Sequence, residues 1–264
     1  MVDEKDLYKF RCKIKNDKAR PGEDMVIPLG FLGKEMVMKQ RVLSGLFIIV
    51  VFFLMNGCAV KVTPILSTSL GITAFDNMKK IELHNTSLGL YFDPKVKELK
   101  VDQKIKVGEF TFPIGSAFSV KLIKALAYHF RTIHLIDQPD YREEAPFDAI
   151  MIVTLQDIDM KMGVKSGFST VSTESYIRIS IRAEIKDKLE KKTVWVGATQ
   201  VKETGSHQEY GQMTYQEAGR GFASAIDIGI DKAIGDLMDH MSRSDNLAKY
   251  FDIWEKGHRE GKGK

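Results

Sequence analysis

Between Tyr176 and Lys186 apolar and polar side chains alternate without a break. Ile177, Ile179, Ile181, Ala183 and Ile185 fall on one side, and Arg178, Ser180, Arg182, Glu184 and Lys186 on the other. A period of two is satisfied only by a strand with one buried face, so this chain must build a sheet and supply something to cover it. The polar run Asp187 to Lys192 reads as a turn, and Thr193 to Glu203, with Val194, Trp195, Val196 and Val201, reads as the returning strand of a hairpin. The cover follows: Thr214 and Glu217 have the spacing of a capping box, in which each side chain satisfies the other's backbone amide. A helix is predicted from Tyr215 to Met241, with Phe222, Ala225, Ile226, Ala233, Leu237 and Met241 toward the core. Its glycines 219, 221, 229 and 235 each cost up to about 1 kcal/mol relative to alanine. The helix must therefore lie close against the sheet or another helix, or break near one of them.

Upstream, Leu88 to Phe92 reads as a strand ended by Asp93-Pro94, and Lys95 to Phe112 as a long loop or irregular hairpin. Ser116 is a candidate N-cap for an amphipathic helix carrying Phe118, Leu122, Ala125, Leu126 and Phe130. Ile133 to Ile136 reads as a short strand. Ala149 to Met162 reads as a long one, with a phase slip near Thr154 that implies a bulge. The predicted fold is α+β, a four- to five-stranded antiparallel sheet with two helices packed on one face. The body is expected over 81–244, with 245–264 as a frayed tail.

The other strong feature is Leu46 to Met55, ten apolar residues in a row behind the basic residues Lys34, Lys39 and Arg41. Counted from Val42 the run reaches fourteen residues, short of the roughly 20 that span a bilayer as a helix. A basic region, a short apolar stretch and small residues before a cut are the parts of a secretory signal peptide. Met55-Asn56-Gly57-Cys58 resembles the lipobox of bacterial lipoproteins. The resemblance implies diacylglycerol on the Cys58 thiol, cleavage between Gly57 and Cys58, and an acyl chain such as palmitate on the new amino terminus. It also implies sorting to the outer membrane in a Gram-negative cell, because Ala59 and not Asp follows Cys58. The alternative is an uncleaved anchor or a buried core strand, with Cys58 incidental.

Met38 begins a leader of normal proportions over 38–57, so 1–37 is expected to be an over-extended start or a polar extension, with Met1, Met25 and Met36 as the other candidate starts. Residues 58–80, polar and small with Pro64, are expected to be a tether of little structure. The leader also explains the charge. Of 39 basic and 35 acidic residues, 1–57 carry ten and seven, which leaves the part from Cys58 onward close to neutral. Neither nucleic acid nor an anionic lipid surface is implied as a partner by total charge. Membrane attachment through the lipid is.

Chemistry is sparse. Only Cys12 and Cys58 are available as thiols, which excludes a disulfide framework and zinc sites built from cysteine pairs. Phosphate-cradling, dinucleotide and nucleophile-elbow glycine motifs are missing. Asp157-x-Asp159 has the spacing of a carboxylate pair on one strand face, with nothing nearby to complete a metal shell. His129 and His134 do not have the helical i, i+4 spacing of a zinc pair and read as polar-face residues. Ser166 to Thr173 reads as a solvated hairpin loop. Tyr91, Phe92, Phe110 and Phe112 read as core in preference to an acyl-chain groove. No catalytic residue, cofactor or metal is expected.

Element order, together with Gly89-Leu90-Tyr91-Phe92 and Phe112-Pro113-Ile114-Gly115 behind the lipobox, resembles the small envelope lipoproteins typified by the LPS-assembly lipoprotein LptE, YajG and the polysaccharide-export lipoprotein PelC. The resemblance implies a non-catalytic periplasmic subunit that docks on a larger envelope complex in outer-membrane biogenesis, transport or export. The alternative reading is a periplasmic enzyme, or a carrier of a small molecule or lipid, with an unrecognised site.

Overall fold

The computed structural model describes residues 61–71, 83–105 and 108–261. The chain divides into two units, 1–57 and 58–264, and all described residues belong to the second. The expected leader, its cleavage site at Gly57 and Cys58 lie outside the described residues.

The described chain runs β1 (Lys61–Val62), β2 (His84–Phe92), α1 (Pro94–Lys97), β3 (Val101–Ile105), β4 (Gly108–Phe112), α2 (Ile114–Leu126), β5 (Phe130–Ile136), β6 (Ala149–Ser166), β7 (Thr170–Asp187), β8 (Thr193–Tyr210), α3 (Tyr215–Ser242) and α4 (Asp245–Gly261). The main sheet has the order β5-β2-β6-β7-β8, and a small one the order β1-β4-β3. β6, β7 and β8 pair antiparallel, with Ile177 opposite Met160 and Glu203.

The expectation of an antiparallel sheet needs correction, because β2 pairs parallel with both β5 and β6. Parallel neighbours require a crossover. The β3–β4 hairpin and α2 carry the chain back from β2 to β5, and the connection 137–148 carries it back again to β6. The stretch Lys95 to Phe112 thus includes a hairpin, with Gln103 opposite Phe110, whose second strand also receives β1.

The alternating run is the central strand of a three-stranded blade. Ile177, Ile179, Ile181, Ala183 and Ile185 are all buried, and the bulge falls between Leu155 and Asp157. β7 begins at Thr170, so the predicted loop 166–173 shrinks to a turn. α3 is unbroken over 28 residues and has the capping box. Glycines 219, 221 and 229 are explained by contact, though Gly235 is not: a Cβ on Gly221 would meet Thr173 Oγ1 at 2.4 Å and His207 Cβ at 2.8 Å. α2 packs beside α3, and its N-cap is Pro113 without a side-chain hydrogen bond, not Ser116.

Residues 245–261, expected as a tail, form α4, which buries Leu247, Phe251 and Trp254. It closes the end of the sheet where β2 and β5 begin and β7 ends. The Phe251 ring stacks on His84 at 3.8 Å, and Trp254 Nε1 donates to Asp187 at 2.7 Å. The aromatic spacing in 250–254 carries this packing, whereas the polar glycine-bearing end masked it in the sequence.

Candidate functional site

The one chemically marked residue, Cys58, lies three positions before the first described residue. The chain between them can reach at most about 11 Å, so the path of the lead-in from Lys61 bears on the site. That path is not a loose tether. Lys61 and Val62 pair parallel with Glu109 and Phe110 of β4. Lys61 and Lys104 flank Glu109 at 3.5 and 3.3 Å, and the Lys104 hydrogen bond, followed by Lys61, holds the Glu109 carboxyl below its ordinary range.

The lead-in then runs along α3. Pro64 lies over Gly219, where a Cβ would meet its ring at 3.0 Å. Leu66 enters the core, and a buried leucine contributes about 1.5–3 kcal/mol. The Ser67 amide donates to both Asp227 oxygens at 3.0 Å. Lys124 Nζ donates to the Thr68 carbonyl at 2.7 Å. Gly71 sits where a Cβ would meet Asp231 Oδ2 at 2.6 Å.

Beneath this contact lies an ionic cluster that sequence reasoning missed. Lys121 of α2 is fully buried, with its ammonium 3.2 Å from Asp227 and 3.0 Å from Asp231 on successive turns of α3. One ammonium against two carboxylates leaves an excess of negative charge, and the Ser67 amide supplies a donor to it. The cluster ties α2, α3 and the lead-in at one point. Its signal in the sequence is a lysine inside the apolar stripe formed by Phe118, Leu122 and Ala125.

The other candidates do not assemble into a reactive centre. Asp157 is exposed and pairs with Arg178 at 2.9 Å, and Arg178 also stands opposite Asp159 in the register. No group of three or more metal-binding side chains occurs among the described residues. His129, read as a polar-face residue, is instead 1% exposed. Burial, reinforced by His84, pushes its imidazole down to about 4. His134 lies beside Phe147, with ring centroids 6.1 Å apart. Phe92, Phe110 and Phe112 are core residues as expected, while Tyr91 is half-buried and lines, beside Phe92, a cleft of about 360 Å³ with Leu90, Ile123 and Leu135. No helix among the described residues is long and apolar enough to cross a membrane.

No protein-family model matches the sequence, and no curated protein matches it. Among solved structures, the chain is similar to a Xanthomonas campestris protein of the DUF330 family, at 9% identity over 70% of this chain and 96% of that one, with a TM-score of 0.40. It is also similar to rare lipoprotein B from Shewanella oneidensis, at 9% identity over 62% and 98% of the two chains, with a TM-score of 0.31. A minor lipoprotein from Acinetobacter baumannii matches at 11% identity over 60% and 92%, with a TM-score of 0.28.

Proposed function

We propose that this protein is a lipid-anchored lipoprotein of the bacterial cell envelope, acylated at Cys58, which faces the periplasm from the outer membrane and serves as a non-catalytic accessory or assembly subunit of an envelope complex. The observation that carries the reading is Met55-Asn56-Gly57-Cys58 at the end of a short apolar run behind basic residues. Two or three acyl chains at about 0.8 kcal/mol per buried methylene give durable anchoring, where one chain alone binds reversibly. The docked lead-in supports the reading physically, since an anchor fastened to α2 and α3 holds the body at a set distance from the bilayer.

The body suits docking. β5 and β8 are the outer strands of the main sheet, and an outer strand presents backbone donors and acceptors to which a partner can add a strand. The test is separation of membranes by density for the wild type and Cys58→Ala, with detergent partitioning of each and capture of partners from the wild-type fraction. The reading requires the wild type in the outer-membrane fraction and the detergent phase, with the variant lost from both. Equal retention of the two in membranes contradicts it.

A further inference from the structure

We propose that the end of the body formed by the β6–β7 turn, the β8–α3 connection and the lead-in is a second membrane contact, with Phe168, Tyr210, Tyr215 and Ile65 seated in the interfacial layer of the bilayer; this rests on the lipid-anchor reading of Cys58. The three most exposed large apolar side chains among the described residues are Phe168 at 109%, Ile65 at 92% and Tyr210 at 83%. All three lie at this end.

The path of the chain says why a lipid surface is the occupant. Followed backward, the lead-in descends α3 toward its N-terminus, from Gly71 at Asp231, through Ser67 at Asp227, to Pro64 at Gly219. Lys61 follows, and Cys58 lies at most about 11 Å beyond it. Acyl chains on Cys58 would thus attach within that reach of Lys61, which lies beside Tyr215 at the start of α3. The blade tip is at that same end: Tyr210 closes β8, Gly211 turns the chain at φ 84°, and α3 starts four residues later at Tyr215.

The tip is held, not loose. Gly167 donates to the Thr170 carbonyl at 2.7 Å and Gly211 to the Ser169 carbonyl at 2.9 Å, so Phe168 is presented from a hydrogen-bonded turn. Tyr215 and Ile65 line an open cleft of about 990 Å³ with Lys61 and Arg220. Tyrosine and phenylalanine gain most where an apolar ring meets polar headgroups. Lysine and arginine beside them extend their charge to lipid phosphates while laying their stems on apolar surface. Each side chain adds a small increment, and together with the lipid they fix the orientation of the body on the membrane.

The experiment uses the full chain reconstituted into vesicles of phosphatidylethanolamine and phosphatidylglycerol, with and without brominated acyl chains. Phe168→Trp places an indole at the tip; Leu189→Trp, at a residue 68% exposed on the β7–β8 turn at the opposite end of the blade, is the control; and wild-type emission from Trp195 and Trp254 is subtracted. The expected result is roughly halved Phe168→Trp emission in brominated vesicles, with Leu189→Trp unchanged. Floating protein without quenching at position 168 overturns the proposal and leaves the exposed tip to a protein partner. Intact mass measured on the same samples separates the two readings. Quenching without acylation keeps the tip contact and refutes the lipid anchor, and loss of flotation in an unacylated sample refutes both.

Discussion

The backbone amide of Ser67 and the carboxylate of Asp227 meet at 3.0 Å across 160 residues of chain, and the same carboxylate accepts from the buried ammonium of Lys121 at 3.2 Å. The segment that leads out of the anchor position is therefore part of the tertiary structure. On the proposed lipid-anchor reading, orientation at the membrane becomes a property of the fold.

The first prediction concerns that cluster. Lys121→Ala removes the ammonium and leaves two partly exposed carboxylates without the cation they share, at an expected cost of up to about 3 kcal/mol. Lys121→Met, which keeps the volume, leaves the same repulsion and recovers only the lost packing. Asp227→Asn removes the charge and leaves one oxygen to accept from Ser67, which costs about 1–3 kcal/mol and loosens the lead-in. Urea unfolding measures the losses, and hydrogen exchange at the Ser67 and Ser69 amides should accelerate in Asp227→Asn before global unfolding does. Unchanged exchange at Ser67 contradicts the clamp.

Two glycines of one helix should respond in opposite directions. Gly235 has nothing within 4 Å of a would-be Cβ, so Gly235→Ala should gain up to about 1 kcal/mol from helix propensity alone. Gly221→Ala gains the same propensity but drives a methyl into Thr173 and His207, and overpacking of this kind costs about 1–3 kcal/mol. Thermal unfolding of the two variants beside the wild type decides the matter, and a stabilised Gly221→Ala would show that α3 rides farther from the sheet than described.

Acid should unmask His129. Its folded value of about 4 lies below the unfolded value of 6.5, so the unfolded chain binds the extra proton in that window. The stability of the neutral buried ring is fully present above pH 6.5 and is lost as pH falls toward 4, by up to about 3 kcal/mol. The charged group that acts on it is His84, in the same direction as burial, and His84 itself has the Glu255 carboxylate at 3.5 Å. His129→Gln should flatten the dependence of unfolding free energy on pH between 6.5 and 4 relative to wild type, and an identical slope in the two proteins contradicts the assignment.

Local patterning made much of this fold legible. The period of two in 176–186, the Thr214–Glu217 box and the phase slip near Thr154 each express a local rule, and each corresponds to an observed strand, cap or bulge. Sheet order is non-local. That β2 accepts β5 and β6 on its two sides depends on crossovers whose direction no short window records, so the parallel pairing was out of reach. The lead-in was misread for a related reason. Residues 61–71 mix small polar residues with Val62, Leu66 and Leu70, which pack on the core, and Gly71 and Gly219 leave room for close approach to α3, which composition alone cannot tell from a tether. His129 lies between the end of α2 and Phe130 and is buried, which a polar residue at a helix end does not announce. The reading of Cys58 rests on its motif alone, and the ionic cluster at the described lead-in is visible in the sequence only as one lysine in an apolar stripe.

The central claim is chemical and has a direct test. The intact mass of the protein purified from membranes of the expressing bacterium should correspond to a chain beginning at Cys58 plus a diacylglyceryl group and an amide-linked acyl chain, with the added mass confined to the peptide that contains Cys58. A mass equal to the unmodified chain from Met1 or Met38, with a free thiol at Cys58, contradicts the lipid anchor.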